Sequence, residues 1–426
     1  LGPTGDMIAE GCTLEKALET ASKLNGFFSF VYQSKKEVVA AVDRVRSFPL
    51  FYAAKEGTLY LGDDPYRIQK ELGGRETDSL AIAEFYLTGY VTGDSTFDPR
   101  IKQIPAGEIL AARLEPAGEW TIERRAYYRF CHHDDLDLPS DDLMKLSQEM
   151  MDEAVRNMIR VANGSKIIVP LSGGYDSRYI LLTLKKLEYP NLAAFSYGLE
   201  GNSEAEVSRK VAETLGVPWY FVPYTAEKWK GWLGSSEYAR FQREAERMVS
   251  VAHIQDWPAV WLLKEQGLLP DGTLFAPGHS GGFLAGKQIR HVLLHKRGWN
   301  REAVAKEVWR RHYTNTSLKV ALGEAGLAKN GESMLRDKTL NNLTEWNAST
   351  LEGSNNAYDS EFWQEKLSKF IVNSMRVYEF WGYRWWLPYY DKVLVAFWER
   401  VPLNMRIGEV LYKDAVMMLQ NEFGLG

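Results

Sequence analysis

The segment Ile167-Ile-Val-Pro-Leu-Ser-Gly-Gly-Tyr-Asp-Ser-Arg178 constrains this chain more than any other. An apolar, β-branched run ends in Ser172-Gly173-Gly174-Tyr175-Asp176-Ser177, and Ile180, Leu181, Leu184 and Leu187 follow at helical spacing. The pattern predicts a strand, a tight glycine loop and a helix start. Glycines let backbone amides point into one concavity, and a helix N-terminus adds unpaired N–H groups and the positive end of its dipole. Ser172 and Ser177 add hydroxyl donors. Such a nest suits phosphate or pyrophosphate. Asp176 would repel a bare anion, so its carboxylate is expected to meet the anion through Mg²⁺, which makes it the metal candidate. An ordinary βα turn uses glycine for geometry alone; that account covers a bare Gly-Gly pair but not six matched residues in this context.

Length and composition bound the rest. A chain of 426 residues suggests two domains, and 45% hydrophobic residues can bury large cores. The 14 tryptophans are expected mostly in core packing. A net charge of −5 gives no electrostatic case for a nucleic-acid partner. Cys12 and Cys131 are the only cysteines, which argues against a disulfide scaffold or a Cys-rich zinc site and fits a reducing cytoplasm. His132-His133-Asp134-Asp135 invites a metal reading, but its polar, Pro-containing surroundings suit a solvated linker better. No run of about 18 apolar residues and no charged-then-apolar leader occurs, so neither a membrane span nor secretion is expected. The chain starts at Leu1 rather than Met, and its true N-terminus is expected upstream.

In order, residues 1–128 read as β-rich with one early helix (Leu14, Ala17, Leu18, Ala21, Leu24). Strands are expected at Phe27–Tyr32, Val38–Val42, Pro49–Tyr52, Thr58–Leu61, Ile109–Ala112 and Trp120–Ile122. Residues 129–141 suit a linker. Residues 142–426 open with a helix carrying Leu143, Leu146, Met150, Ala154 and Met158, then run strand, loop, helix, strand (Leu192–Ser196), helix (Glu204–Leu215), strand (Trp219–Val222). Right-handed crossovers make that a parallel sheet covered by helices, with ligands outside the carboxyl ends of its strands. Residues 226–265 are helical and aromatic, Leu274–Pro277 reads as another buried strand, and the C-terminal third is mostly amphipathic helix. The class is α/β.

These pieces resemble a known family. Ser-Gly-Gly-x-Asp-Ser after a buried strand looks like the pyrophosphatase loop of ligases that split ATP into AMP and pyrophosphate, and no kinase-type Gly-x4-Gly-Lys-Ser/Thr occurs. Leu24–Phe30, Asp43-Arg44, Phe48–Tyr52, Gly57–Gly62, Ile104–Gly107 and Tyr127-Tyr128 resemble the second half of the glutamine-hydrolysing domain of asparagine synthetases. Four further markers resemble that family's synthetase domain: the loop, the Phe195-Ser196-Tyr197-Gly198 strand end, the Gly278–Gly286 turn, and Gly382-x5-Pro388-x2-Asp391. Lys413, in Val410-Leu-Tyr-Lys-Asp414, stands where the family keeps a lysine near the reacting phosphate. The resemblance implies an N-terminal Ntn-hydrolase-like domain, incomplete as it stands, followed by a parallel-sheet synthetase domain of the adenine-nucleotide α-hydrolase kind with a helical C-terminal part. The family's nucleophile is a cysteine at the mature N-terminus followed by Arg-Gly-Pro-Asp, and neither is visible; Cys12 precedes a helix and reads as structural. Either the missing half lies upstream of Leu1, or nitrogen comes from ammonia or another amine.

Two departures stand out. The family's second glycine turn carries Gly-Glu-Gly-x-Asp-Glu, whose carboxylates help hold magnesium and pyrophosphate; here nothing from Gly272 to Arg301 is acidic, and His279 and Ser280 stand in the turn. Arg290, His291, His295, Lys296 and Arg297 follow, as pyrophosphate-binding cations or as a solvated helix face. In the family's Gly-x-Glu-x-Arg-x-Pro-Phe-x-Asp, the glutamate is Arg384 and the arginine Trp386. Glu379 is expected to supply a base from nearby or to be a surface residue; Arg384 to bind an anionic substrate or form a structural ion pair.

The resemblance implies adenylation of a substrate carboxylate by ATP, then attack by an amine with loss of AMP. It assigns the phosphates to Leu171, Ser172, Gly173, Gly174 and Ser177, Mg²⁺ to Asp176, the nucleotide also to Ser196, Tyr197, Gly198, Gly278, His279 and Ser280, and catalysis to Lys413, Glu379 and Arg384. The lost Glu and Arg disfavour an asparagine synthetase proper. Diverged relatives amidate uronic-acid sugars of surface polysaccharides, or close an amide within one substrate, as β-lactam synthetases and lasso-peptide cyclases do. Trp381, Trp385 and Trp386 would suit a sugar ring or a hydrophobic peptide, and equally a core. The expected partners are a small-molecule or sugar carboxylate and ammonia, glutamine-derived ammonia or another amine; a homodimer is left open, as is a non-catalytic ATP-binding subunit.

Overall fold

A computed structural model describes residues 13–133, 135–327 and 330–425. Cys12 and Asp134, to which sequence reading gave structural and linker roles, lie outside them. The chain packs into two compact units. The first takes the described residues up to Cys131, Glu246–Val251 and Arg290–Asn373; the second takes His132–Ala245, Ala252–Ile289 and Ser374 onward.

In the first unit, β1 (Ser29–Gln33), β2 (Glu37–Val42), β6 (Glu108–Leu114) and β7 (Trp120–Ala126) form an antiparallel sheet in the order β1-β2-β6-β7. A second antiparallel sheet runs β4 (Thr58–Gly62), β3 (Phe51–Lys55), β5 (Lys102–Gln103). The continuous apolar run of β2 is explained by burial on both faces. Val38, Ala40 and Val42 join a core with Leu50, Tyr52 and Ile104, while Val39 and Ala41 meet Ala17 and Ala21 of the helix Leu14–Lys23. Thr13 caps that helix by accepting from the Lys16 amide. The helices within 290–373, expected in the second domain, pack instead in this unit. Val304, Val308, Leu335 and Ala357 bury against Ala83 and Leu87 of the helix Ser79–Thr88.

The second unit is built on five parallel strands, β8 (Ile167–Pro170), β9 (Leu192–Gly198), β10 (Trp219–Pro223), β11 (Leu274–Phe275) and β12 (Arg384–Trp385), ordered β10-β9-β8-β11-β12. The helix Tyr175–Lys186 links β8 to β9, and Ser203–Thr214 links β9 to β10. The chain winds outward from β8 to β10 and then adds β11 and β12 on the other side. The order therefore reverses between β8 and β11, and the loops after these two strands flank the crevice where such sheets bind ligands. The two-residue β12 was not foreseen.

The expected solvated linker is a docked segment in its first residues. His132 is buried with Nδ1 3.1 Å from the Trp398 carbonyl, and the His133 amide donates to Glu399 O at 2.7 Å. Its backbone is held by the end of the helix Lys392–Trp398, an anchor that composition does not reveal. No helix of the described residues is long and apolar enough to cross a membrane.

Candidate active site

The loop after β8 is braced from within. The Ser172 amide donates to Ser177 Oγ at 3.1 Å, and the Gly174 amide donates to Ser172 Oγ at 3.2 Å. Arg178, one turn into the helix, donates to the Gly173 carbonyl at 2.9 Å. Leu171 O accepts from Ser196 Oγ at 2.6 Å and Ser208 Oγ at 2.9 Å, which ties the strand end to β9 and to the helix Ser203–Thr214. Beside these residues lies a cavity of about 130 Å³ bounded by Leu171, Ser172, Ser196, Tyr197 and Glu204. It opens at the carboxyl ends of β8 and β9.

Asp176 faces the second glycine turn. Its Oδ1 accepts from the Tyr412 phenol at 2.8 Å and its Oδ2 from the Gly282 amide at 3.2 Å. Tyr389 donates to the Asp176 carbonyl at 2.9 Å and lies 2.8 Å from the Tyr412 oxygen, so two buried phenols and one carboxylate form a closed set. Burial pushes the Asp176 carboxyl above the ordinary aspartate range; the Tyr412 and Gly282 hydrogen bonds and Lys287 pull it down, and Glu409 pushes it up.

The turn approaches so closely that side chains have no room. A Cβ on Gly278 would lie 2.7 Å from Ser177 Cα, and one on Gly281 would lie 2.6 Å from the Tyr412 hydroxyl. His279 and Ser280 are engaged elsewhere: His279 Nε2 lies 3.1 Å from Ser374 Oγ, and Ser280 Oγ 2.6 Å from the Tyr390 phenol. Burial holds His279 below the usual imidazole range, although Asp256 pulls it upward, so it is neutral at pH 7. The turn thus offers hydroxyls and amides, and its histidine brings no cation. The basic run from Arg290 belongs to the first unit, where Arg290 pairs with Glu307 at 3.1 Å.

On β9, the Ser196 hydroxyl is spent on Leu171 O and the Tyr197 phenol donates to Asp256 at 2.7 Å. Gly198, which ends the strand, has a φ of 132°. Lys413 sits in the first turn of the helix Val410–Glu422, with Nζ 2.9 Å from Gly408 O and 3.4 Å from Glu409 Oε2.

Two family models match this sequence: a glutamine amidotransferase domain over residues 12–127 and asparagine synthase over residues 147–230. Both matches are consistent with a member of the asparagine synthetase family. The amidotransferase match lies within the first unit and the synthase match carries the β8 loop. A search of curated proteins gives no match. Among solved structures, the chain is similar to a glutamine-dependent NAD⁺ synthetase from Acinetobacter baumannii in complex with adenosine diphosphate, at 14% identity and a TM-score of 0.19. That alignment covers 61% of this chain and 62% of that one.

For Arg384 and Glu379 the contacts fit the structural alternatives that the sequence left open. Arg384 pairs with Leu274, which pairs with Ile167, the first residue of β8. Five residues of extended chain separate Ile167 from Ser172, about 16 Å at ~3.3 Å per residue. The Arg384 guanidinium donates to Gly272 O at 2.9 Å and Val161 O at 3.0 Å, at the opposite end of the sheet from the loop. It braces that end and contacts no part of the crevice. Glu379 accepts from Trp385 Nε1 at 2.8 Å and pairs with Arg376 at 2.8 Å, so its carboxylate is committed to structure. The tryptophans are packed as well: Trp381 stacks on Trp261 at 5.4 Å and donates to the Trp257 carbonyl.

Sequence reading missed Tyr389, Tyr412, Glu409 and Asp256. Asp256 accepts from both Tyr197 and Tyr378, the latter at 2.5 Å. The available signal for Tyr412 and Glu409 was their place beside Lys413 in Glu409–Asp414.

Proposed function

We propose that this chain is an ATP-dependent carbon–nitrogen ligase that activates a substrate carboxylate as an acyl-adenylate and transfers it to an amine. The observation that carries the reading is Asp176: a carboxylate in a serine–glycine loop, at the carboxyl end of a parallel strand, beside a cavity at the adjoining strand end. The adenosine lies in that cavity against the backbone of Ser196–Gly198. Ser172, Gly173, Gly174 and Ser177 bind the β- and γ-phosphates through amides and hydroxyls. Lys413 neutralises charge at the α-phosphate when the substrate carboxylate attacks it.

Magnesium fits the donor set. Asp176 offers hard oxygen ligands beside a phosphate nest, and Mg²⁺ is ordinarily held by one or two carboxylates plus phosphate oxygens. When bound, it would offset phosphate charge. The protein's own share is positioning: Tyr412 and the Gly282 amide orient the Asp176 carboxylate, and the glycine turn excludes side chains from the loop. The substrate is a carboxylic acid, whose acyl carbon becomes the electrophile once it is adenylated; uronic-acid sugars and peptide carboxylates are the first two classes to screen, with ammonia, glutamine-derived ammonia or a tethered amine as the nucleophile.

The test uses ¹⁸O-labelled carboxylic acids. Transfer of one ¹⁸O into AMP, with pyrophosphate release and dependence on Asp176, is expected. Formation of ADP and phosphate, or AMP without label, would sink the adenylate mechanism.

A further inference from the structure

A second carboxylate stands beside Asp176, and it comes from neither glycine turn. Glu409 immediately precedes the helix Val410–Glu422 with left-handed backbone, φ 62°, a conformation unfavourable for a residue with a Cβ. A Cβ on Gly282 would meet Glu409 Oε1 at 3.1 Å, while one on the adjacent Gly281 would meet Asp176 Oδ1 at 2.8 Å. Each glycine of this two-residue stretch thus lies against one of the two carboxylates. Lys413 Nζ is 3.4 Å from Glu409 Oε2.

We propose that Glu409 is the second protein ligand of a divalent cation shared with Asp176; this rests on the nucleotide reading above. Like charges near one another repel, a repulsion that Lys413 and Lys287 offset here and that a divalent cation between the carboxylates would offset more directly; each carboxylate is an oxygen donor suited to Mg²⁺. Among the described residues no group of three or more His, Cys, Asp or Glu is placed to hold a metal. A site with only two carboxylates must take its other ligands from phosphate and water, which matches Mg²⁺ and makes its binding depend on the nucleotide. The same arrangement gives Lys413 a switch of partner: as Glu409 turns to the cation, the ammonium is freed from its ion pair for the phosphate chain. Glu409 acts on the reaction through the cation and Lys413.

Calorimetric titration of ATP, with and without Mg²⁺, into wild type, Glu409→Gln and Asp176→Asn tests this, with Mn²⁺ paramagnetic resonance counting bound cation directly. In wild type Mg²⁺ should tighten ATP about tenfold or more. Glu409→Gln should bind metal-free ATP as well as wild type or better, lose the Mg²⁺ enhancement, and bind no Mn²⁺ in the presence of ATP. Retained enhancement in Glu409→Gln overturns the assignment while leaving the nucleotide reading intact. No ATP binding by wild type under either condition sinks both. Should Glu409→Gln fail to fold, Glu409→Asp must weaken the enhancement, and an unchanged value there is equally fatal.

Discussion

Tyr412 donates its phenol to Asp176 across 236 positions of chain, at 2.8 Å. That bond makes the loop carboxylate a property of the tertiary fold. In Tyr412→Phe, a buried carboxylate loses a donor and Tyr389 loses its neighbour. Stability should fall by about 1–2 kcal/mol, the usual effect of orphaning a buried partner. The Asp176 carboxyl, deprived of the bond that lowers it, should move further up, and the pH midpoint for Mg²⁺-dependent ATP binding should rise with it. Denaturant unfolding and calorimetry across pH measure both; an unmoved midpoint would count against Tyr412 as the tuning group.

Asp176→Asn should separate stability from binding. The folded-state carboxyl is raised, chiefly by burial, so the native state holds its proton longer than the unfolded chain. Stability tied to this group is therefore present below the ordinary aspartate value and lost as pH rises through the raised one. At pH 7.5 the amide should melt about 2 °C higher than wild type, the shift expected for roughly 1 kcal/mol in a unit of this size. The difference should vanish towards pH 4. Calorimetric scans at the two pH values decide, and a lower melting point at pH 7.5 contradicts the argument.

Gly278 has no room for a methyl group, since a Cβ would press on Ser177 and the Asp176 carbonyl carbon. Gly278→Ala should destabilise by about 1–3 kcal/mol and abolish ATP binding by displacing the loop. The control is Gly231→Ala, in the helix Ala226–Leu233 with nothing within 4 Å of the added carbon, which should stabilise by about 0.5–1 kcal/mol. Equal effects of the two changes would mean the turn can yield.

Arg384 gives the clearest contrast between motif and register. Arg384→Gln should lower stability by about 1 kcal/mol, through loss of its bonds to the Gly272 and Val161 carbonyls. ATP affinity should not change. A hundredfold loss of ligase activity at unchanged stability would restore the residue to the chemistry.

The first unit carries its own pH dependence. Burial, aided by Lys366, Arg311 and Arg290, holds His312 at about 3, and burial pushes Glu361, 3.6 Å from its ring, well above the carboxylate range. His312 is therefore neutral at pH 7. Because the unfolded histidine titrates near 6.5, His312 should subtract stability as pH falls below that value, by about 2 kcal/mol at pH 5. Glu361 does the opposite, its favourable contribution draining away as pH rises. Glu361→Gln, matching the protonated form, should therefore melt higher than wild type at pH 8; His312→Gln should flatten the acid limb. Amide exchange in the Arg301–His312 helix reports on this unit alone.

The β8 loop was legible because strand, glycines, polar donors and helix start are contiguous, so local rules apply at every position. The continuous apolar run of β2 was legible for the same reason. What was misread depends on pairing. β11 and β12 are two residues each, too short to show a period, yet their register decides which end of the sheet Arg384 faces. His132 looked solvated because its partner, Trp398 O, lies 266 positions away. Tyr412 and the Gly282 amide reach Asp176 only through packing, and the one signal in the chain for Tyr412 is its place beside Lys413.

The distribution of these partners along the chain has a consequence for how the protein is made. The loop is complete by Ser177, but the amide that Asp176 accepts comes 106 positions later and the phenol 236 positions later. Long-range closures of this kind form late in folding. A nascent chain that has emerged only through its sheet would carry the loop with a carboxylate that lacks its Tyr412 donor. Nucleotide capture should therefore arise only after the C-terminal helix docks, and the ligand, by binding that finished state alone, would select for complete molecules over partly folded ones.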